Sequence, residues 1–272
     1  MRFLAIFILI QCSLFSKVYD CFTFYNELDL LQIRLNELNE HVDYFVIVEA
    51  KDTFSGIEKR LLFKENKHLY QKFLHKIIYV EVDKTPQFKD DAWSREYFQR
   101  NQIMKGLKKC SKEDVIIISD VDEIPKSGIL KQIIVMLESK KRQIIGLECN
   151  FYRWFLNRKD NTFWVGPAVT RYKNIAKRSP QNVRDQRTKY LTVKNSAWHF
   201  SNMGGLNCYF DKLKAYSHYK ESVGTLSFSN TDVYKYISEL ELVEIDESFP
   251  KFVIDNYNEL DKKNFFDQGF YY

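Results

Sequence analysis

The chain has 272 residues, with 41 Lys and Arg against 36 Asp and Glu, a formal charge of +5 and 16% aromatic residues. That length suits one large α/β domain with a substantial core. The positive charges are scattered and form no basic arm, so the balance argues against a nucleic-acid partner and suits an anionic small-molecule substrate.

Met1-Arg2 followed by the apolar run Phe3 to Phe15 reads as a signal peptide or short signal anchor over residues 1–16. A comfortable membrane span needs ~20 apolar residues, more than this run supplies. The implied destination is the secretory pathway, exported or membrane-associated. The five cysteines are widely spaced, with no C-x-x-C, and show neither a zinc pattern nor a compact disulfide framework. They read as core thiols, with one disulfide open if the chain is exported.

Val18 to Tyr25 is expected as the first strand, with Asn26 capping a helix and Asp29 three residues on. Leu28, Leu31, Leu35, Leu38 and Val42 form its apolar stripe. Tyr44 to Val48 is a second strand, ending in Glu49, and Asp52 to Gly56 is a loop. A helix over about Lys64 to Leu74 leads to the strand Ile77 to Val80. Trp93 to Lys109 reads as one helix with Arg100 on its apolar side. A buried Arg needs a partner. Two readings of Arg100 stand level: a pair with Glu96 one turn earlier, or an anion contact beside the next strand.

That strand organises the chain. Val115 to Ile118 is fully apolar and β-branched, and it runs into Ser119-Asp120-Val121-Asp122-Glu123-Ile124-Pro125. Ligands of open α/β sheets bind at the carboxyl ends of strands. Alternation would point both aspartates to one side. Two such carboxylates repel, and a hard cation shared with a phosphate relieves them. Ser127 is expected to cap a helix to about Lys140, and Gln143 to Cys149 is a further strand. The alternation of strands and helices to this point predicts an α/β fold with a mainly parallel central sheet. No G-x-G-x-x-G or G-x-x-x-x-G-K-[ST] occurs, which removes the usual dinucleotide and P-loop sites.

The second half is more irregular. Tyr190 to Val193 and Ala197 to Phe200 read as two short strands, Met203 to Gly205 as a loop, and Tyr209 to Tyr219 as a helix. Val233 to Leu240 reads as another helix, capped by Asn230 to Asp232, and Phe249 to Asn258 as a surface segment with an apolar seam.

The segments Val18–Leu31, Val42–Gly56, Trp93–Leu107, Ser119–Pro125 (SDVDEIP), Ala197–Gly205 (AWHFSNMGG) and Pro250–Asn258 resemble family 17 glycosyltransferases. The resemblance runs from about Val18 to near the C-terminus. It implies a GT-A-type, Rossmann-like domain over residues 17–272, with a nucleotide-sugar half (17–150) and an acceptor half (151–272). It further implies a UDP-sugar donor, Mn²⁺ or Mg²⁺, a glycan or glycoprotein acceptor and inversion at the anomeric carbon. The sugar implied is N-acetylglucosamine. Family members with a long stem and full anchor differ here, and Phe200 stands where the mammalian enzymes have Cys.

Within that resemblance Asp120, Asp122 and His199 are the expected metal ligands. Phe24, Asn26, Glu49, Arg100 and Asp120 are expected around the nucleotide sugar. An inverting transfer needs a carboxylate base, for which Glu221 is the first candidate and Asp211 and Asp185 the next. Two other readings stay open: a haloacid-dehalogenase-like phosphohydrolase, which also places D-x-D after an apolar strand, and an inactive sugar-binding module on the same scaffold.

Overall fold

The computed structural model describes residues 16–83, 85–86, 91–138, 143–215 and 230–269, and within these the side chains of 206–208, 211 and 230–232 are not described. The first half builds β1 (Val18–Phe24), α1 (Leu28–Leu38), β2 (Tyr44–Ala50), α2 (Leu62–Asn66), a 3₁₀ turn (Lys67–Phe73), β3 (Ile77–Val82), α3 (Ala92–Asn101), α4 (Ile103–Gly106) and β4 (Val115–Asp120). Its strands pair in parallel in the order β3-β2-β1-β4. Their apolar runs are buried on both faces, as crossover helices require. Leu31, Leu35 and Leu38 cover one face; Ile103 and Leu107 cover the other.

The expected cap at Asn26 is displaced by one residue. Glu27 is the N-cap position and makes no side-chain cap bond; its carboxylate turns back to the backbone N–H groups of Tyr25 (3.2 Å) and Asn26 (3.0 Å). The helix expected over 64–74 is α2 followed by a kinked 3₁₀ turn at Tyr70. The helix expected over 93–109 breaks at Gln102 into α3 and α4, and the Asp91 carboxylate caps α3 at Trp93 N, 3.1 Å away.

After β4 come β5 (Glu123–Pro125), α5 (Ser127–Met136), β6 (Ile144–Arg153), β7 (Arg158–Asp160), β8 (Val165–Arg171), α6 (Tyr172–Ile175), α7 (Pro180–Asp185), β9 (Leu191–Ser201), α8 (Gly205–Ala215), α9 (Asn230–Ser238), β10 (Glu241–Leu242), α10 (Lys251–Asp255) and α11 (Tyr257–Asp261). The same sheet continues from β4 through β8, β6, β7 and β10, all antiparallel to their neighbours, while β9 runs parallel to β6. The parallel pairing of the expected, mainly parallel sheet lies in the first half and at β6–β9; the other pairs are antiparallel.

Strand β8 escapes a sequence reading because Gly166 and Pro167 argue against a central strand. Pro167 lies where the β6–β8 register shifts between Gly146 and Glu148, the kind of irregularity that accommodates a missing N–H. A Cβ on Gly166 would come within 2.8 Å of Cys149 Sγ and of the Glu123 carboxyl carbon, so only glycine allows this approach. The two short strands expected over 190–200 are one strand, β9, with a register shift against β6 and Asn195 at φ 49°. The segment 249–258 is a surface segment whose apolar seam, Phe249 and Val253, is buried with Leu30, Ile33, Trp198 and Phe200.

Among the described residues no helix is long and apolar enough to cross a membrane. The apolar run 3–15 lies outside them. Cys21, Cys110 and Cys149 are free thiols.

Candidate active site

The turn between β4 and β5 carries Asp120 to Asp122, and a fully buried arginine holds it from beneath. The Arg34 guanidinium, on α1, donates to the carbonyls of Asp120 (2.9 Å), Val121 (3.3 Å) and Glu123 (2.8 Å) and to Ser119 Oγ (2.6 Å). Its counter-ion is the equally buried Asp20 on β1, at 2.7 and 2.5 Å. The face of Phe22 lies 4.4 Å below it. Arg34 was invisible as a site residue because it sits in a leucine-rich helix with ordinary amphipathic spacing. Its signal was an Arg on the apolar side, the argument applied to Arg100.

The two aspartates have different surroundings. Asp120 accepts from Arg100 (2.8 Å) on one oxygen and from Arg184 (2.9 Å) on the other. Burial alone would raise its pKa, but the two guanidinium groups outweigh this and hold the carboxyl well below the usual carboxylate range. Arg100 also pairs with Glu96 at 2.7 Å and donates to Gln181. The helical pair of Arg100 is therefore present, and its guanidinium also binds Asp120, a carboxylate of the chain itself. Arg184, from α7, also binds Glu123 (2.7 Å) and the Gly166 carbonyl. Glu123 is completely buried, accepting from Trp164 Nε1 (2.8 Å) and Asp120 N (3.1 Å).

Asp122 faces the other way. Its oxygens stand 3.0 Å from Lys212 Nζ and 3.8 Å from His199 Nε2. β5 pairs with β9 so that Glu123 is opposite His199, which fixes the imidazole beside the turn. The ring stacks on Phe151 at 4.4 Å and 3°, with Trp164 at 5.1 Å. Burial lowers its pKa, against the pull of Asp122 and Glu123, so it is neutral at physiological pH.

Asp122 and His199 fit a divalent ion. The set is a carboxylate and the Nε2 of a neutral imidazole, 3.8 Å apart and too far to hydrogen-bond. The expected three-ligand set is not assembled. Both Asp120 oxygens are engaged by arginines, and among the described residues no three of His, Cys, Asp and Glu stand close enough to hold an ion. Such an ion would complete its oxygen shell from water and a substrate phosphate.

The site opens on a cleft of about 200 Å³ lined by Tyr25, Glu27, Phe54, Asp120, Asp122 and His199. Beside it a smaller hollow runs over the ends of β1 and β2, lined by Phe24, Tyr25, Thr53, Phe54, Lys59 and Gln99. A third, against Asn26, Asn202 and Lys263, shares Glu27 and Lys212 with both. Phe24 and Asn26 thus stand on cleft walls. Glu49 does not: it is fully buried, and its carboxylate accepts from Phe63 N (3.0 Å), Lys64 N (3.3 Å) and Tyr79 Oη (2.9 Å), tying α2 to β2. Burial outweighs the pull of Glu49 and lowers the pKa of Lys59, the cation nearest that carboxylate. Glu221 lies outside the described residues, as does the Asp211 side chain. Asp185 is exposed, bonded to Gln181 at 2.7 Å, and lines none of these hollows.

An α/β sheet with an acid turn and a histidine at the carboxyl edge of its central strand places a candidate site where open α/β sheets bind ligands. The profile of glycosyltransferase family 17 matches residues 10–245, and the chain belongs to that family. It is 32% identical over 122 residues to the β-1,4-mannosyl-glycoprotein 4-β-N-acetylglucosaminyltransferase of Rattus norvegicus and to that of Homo sapiens, and 31% identical to that of Mus musculus. Each match spans 42% of this chain and 23% of the relative, so the chain aligns with about a quarter of these proteins. Among solved structures, a 4-diphosphocytidyl-2C-methyl-D-erythritol synthase aligns with a TM-score of 0.41 at 13% identity, covering 66% of this chain and 89% of that one.

Proposed function

We propose that this glycosyltransferase moves N-acetylglucosamine from a UDP-sugar to a glycan of a glycoprotein, with inversion, in the secretory pathway. The observation that carries the reading is the Asp122–His199 pair, open to a cleft at the carboxyl ends of β1, β2 and β4. The names of the mammalian relatives supply the sugar and the acceptor class. Tyr25 and Phe54 offer aromatic faces for a base or sugar, and Lys59 a cation.

Asp122 and His199 would hold Mn²⁺ or Mg²⁺, which supplies charge neutralisation to the departing diphosphate. Arg34 holds the Asp122 turn in place. Arg100 and Arg184 keep Asp120 ionised and rigid. Glu221 is the proposed base that takes the acceptor hydroxyl proton. The phosphohydrolase alternative needs the first aspartate free to attack phosphorus; here both Asp120 oxygens accept from guanidinium groups.

The test is UDP release over a panel of UDP-sugars, with and without Mn²⁺ and an N-glycan acceptor, read together with acceptor mass. Wild type should release UDP only with metal and add one N-acetylhexosamine. Glu221→Gln should lower kcat by ~10²–10⁴-fold with UDP affinity unchanged. Release of inorganic phosphate without sugar transfer would favour hydrolysis, and no turnover on any donor would favour a binding module.

A further inference from the structure

Among the described side chains of α8, Lys212 is the one that the three hollows share, and the mechanism above leaves it without a task. Its ammonium stands 3.0 Å from Asp122 and 3.8 Å from Glu27, with about a quarter of the side chain exposed. It therefore sits on the same carboxylate that, with His199, fits a divalent ion. Asp122 has only two oxygens, and a hard cation needs at least one at full charge. Lysine presents a compact ammonium on a flexible four-carbon stem, suited to changing partners.

We propose that Lys212 is an exchangeable counter-ion. It neutralises Asp122 while the site holds no metal, yields that carboxylate to the incoming ion, and then binds the diphosphate of the donor. Glu27, fixed by the backbone N–H groups of Tyr25 and Asn26, keeps the displaced ammonium within the cleft. The inference rests on the donor and metal assignments above. It adds that metal binding and nucleotide binding depend on this one side chain with opposite sign.

The measurement is calorimetric titration of the full chain, first with Mn²⁺ alone and then with UDP at saturating Mn²⁺, for wild type, Lys212→Met and Lys212→Arg. Removing a charged hydrogen bond from each partner should shift each affinity about tenfold or more. Lys212→Met should bind Mn²⁺ about tenfold more tightly and UDP about tenfold more weakly. Lys212→Arg should restore both values toward wild type. A misplaced helix would weaken both ligands together, which overturns the proposal; so does Mn²⁺ affinity that fails to rise, or UDP affinity that fails to fall. Lys212→Gln repeats the comparison if Met lowers the melting temperature. If wild type binds neither Mn²⁺ nor UDP, the donor and metal assignments fall and this inference with them. If wild type binds both and the variants match it, this inference alone fails.

Discussion

The two halves of the sheet contribute unequally to one site. Residues 18–125 supply the carboxylates Asp20, Glu27, Asp120, Asp122 and Glu123, together with the cations Arg34 and Arg100. Arg184, His199 and Lys212 come from the half that follows, on α7, β9 and α8. The first half is a run of strand–helix units whose contacts are mostly between neighbours. The second is antiparallel, with partners far apart in sequence. The contrast teaches that the carboxylates and two of their counter-charges, Arg34 and Arg100, belong to the parallel half, whereas Arg184 and Lys212 reach them only across the closed sheet.

The largest effect should come from the acid that faces the cleft. Asp122→Ala should reduce turnover on the order of 10³-fold, since metal stabilisation of charge is worth several kcal/mol. Asp122 is buried against Lys212, so urea unfolding is run alongside to separate lost turnover from lost stability. Near-normal turnover in a folded variant would remove Asp122 from the site.

The two buried arginines separate the halves directly. Arg34→Met strands Asp20 within the first half, and Arg184→Met strands Glu123 across the junction. Breaking a buried pair costs roughly 3–5 kcal/mol, so both should lower stability by that order in urea unfolding. A loss below ~1 kcal/mol for Arg184→Met would mean that the halves stand independently.

Glu49→Gln tests a residue confined to the first half. Losing a buried charged acceptor costs ~1–3 kcal/mol, while donor KM should stay within about twofold. A large rise in donor KM would return Glu49 to the nucleotide site.

The smallest effect concerns thiols. Burial pushes the Cys21 and Cys149 thiols well above their ordinary value and Cys110 up to about 11. The thiolate is the reactive form, so iodoacetamide at pH 8 should label none of the three until the chain is unfolded. With folded pKa values raised, their contribution to stability is complete below pH ~8.5 and is lost as pH rises through the folded values. Rapid native labelling of Cys21 would contradict its place in the sheet.

The sequence was most readable where structure is local. β1 to β4, the stripe on α1 and the acid turn follow from runs and periodicity. The site was readable in part. Asp120, Asp122, Arg100 and His199 could be named, but nothing in the spacing gave Arg184 or Lys212, which lie 64 and 90 residues downstream of the aspartates they bind. β8 was concealed by Pro167, which normally argues against an inner strand, and Glu49 was misplaced because a strand-end acid looks the same whether it faces a ligand or caps a helix.

One feature of the junction bears on biosynthesis. As the chain emerges from the ribosome, Glu123 leaves 61 residues before Arg184, and Asp122 leaves 90 before Lys212. Closing such long loops must precede the contacts that reward it. During that interval β4 ends in carboxylates with no cation from the second half, and its edge waits for β8. Arg34, only 14 residues from Asp20, is already present and can order the turn early. Arg34 thus acts in time as well as in space: it shapes a nascent strand end that would otherwise be both highly charged and unpaired until translation has passed residue 171.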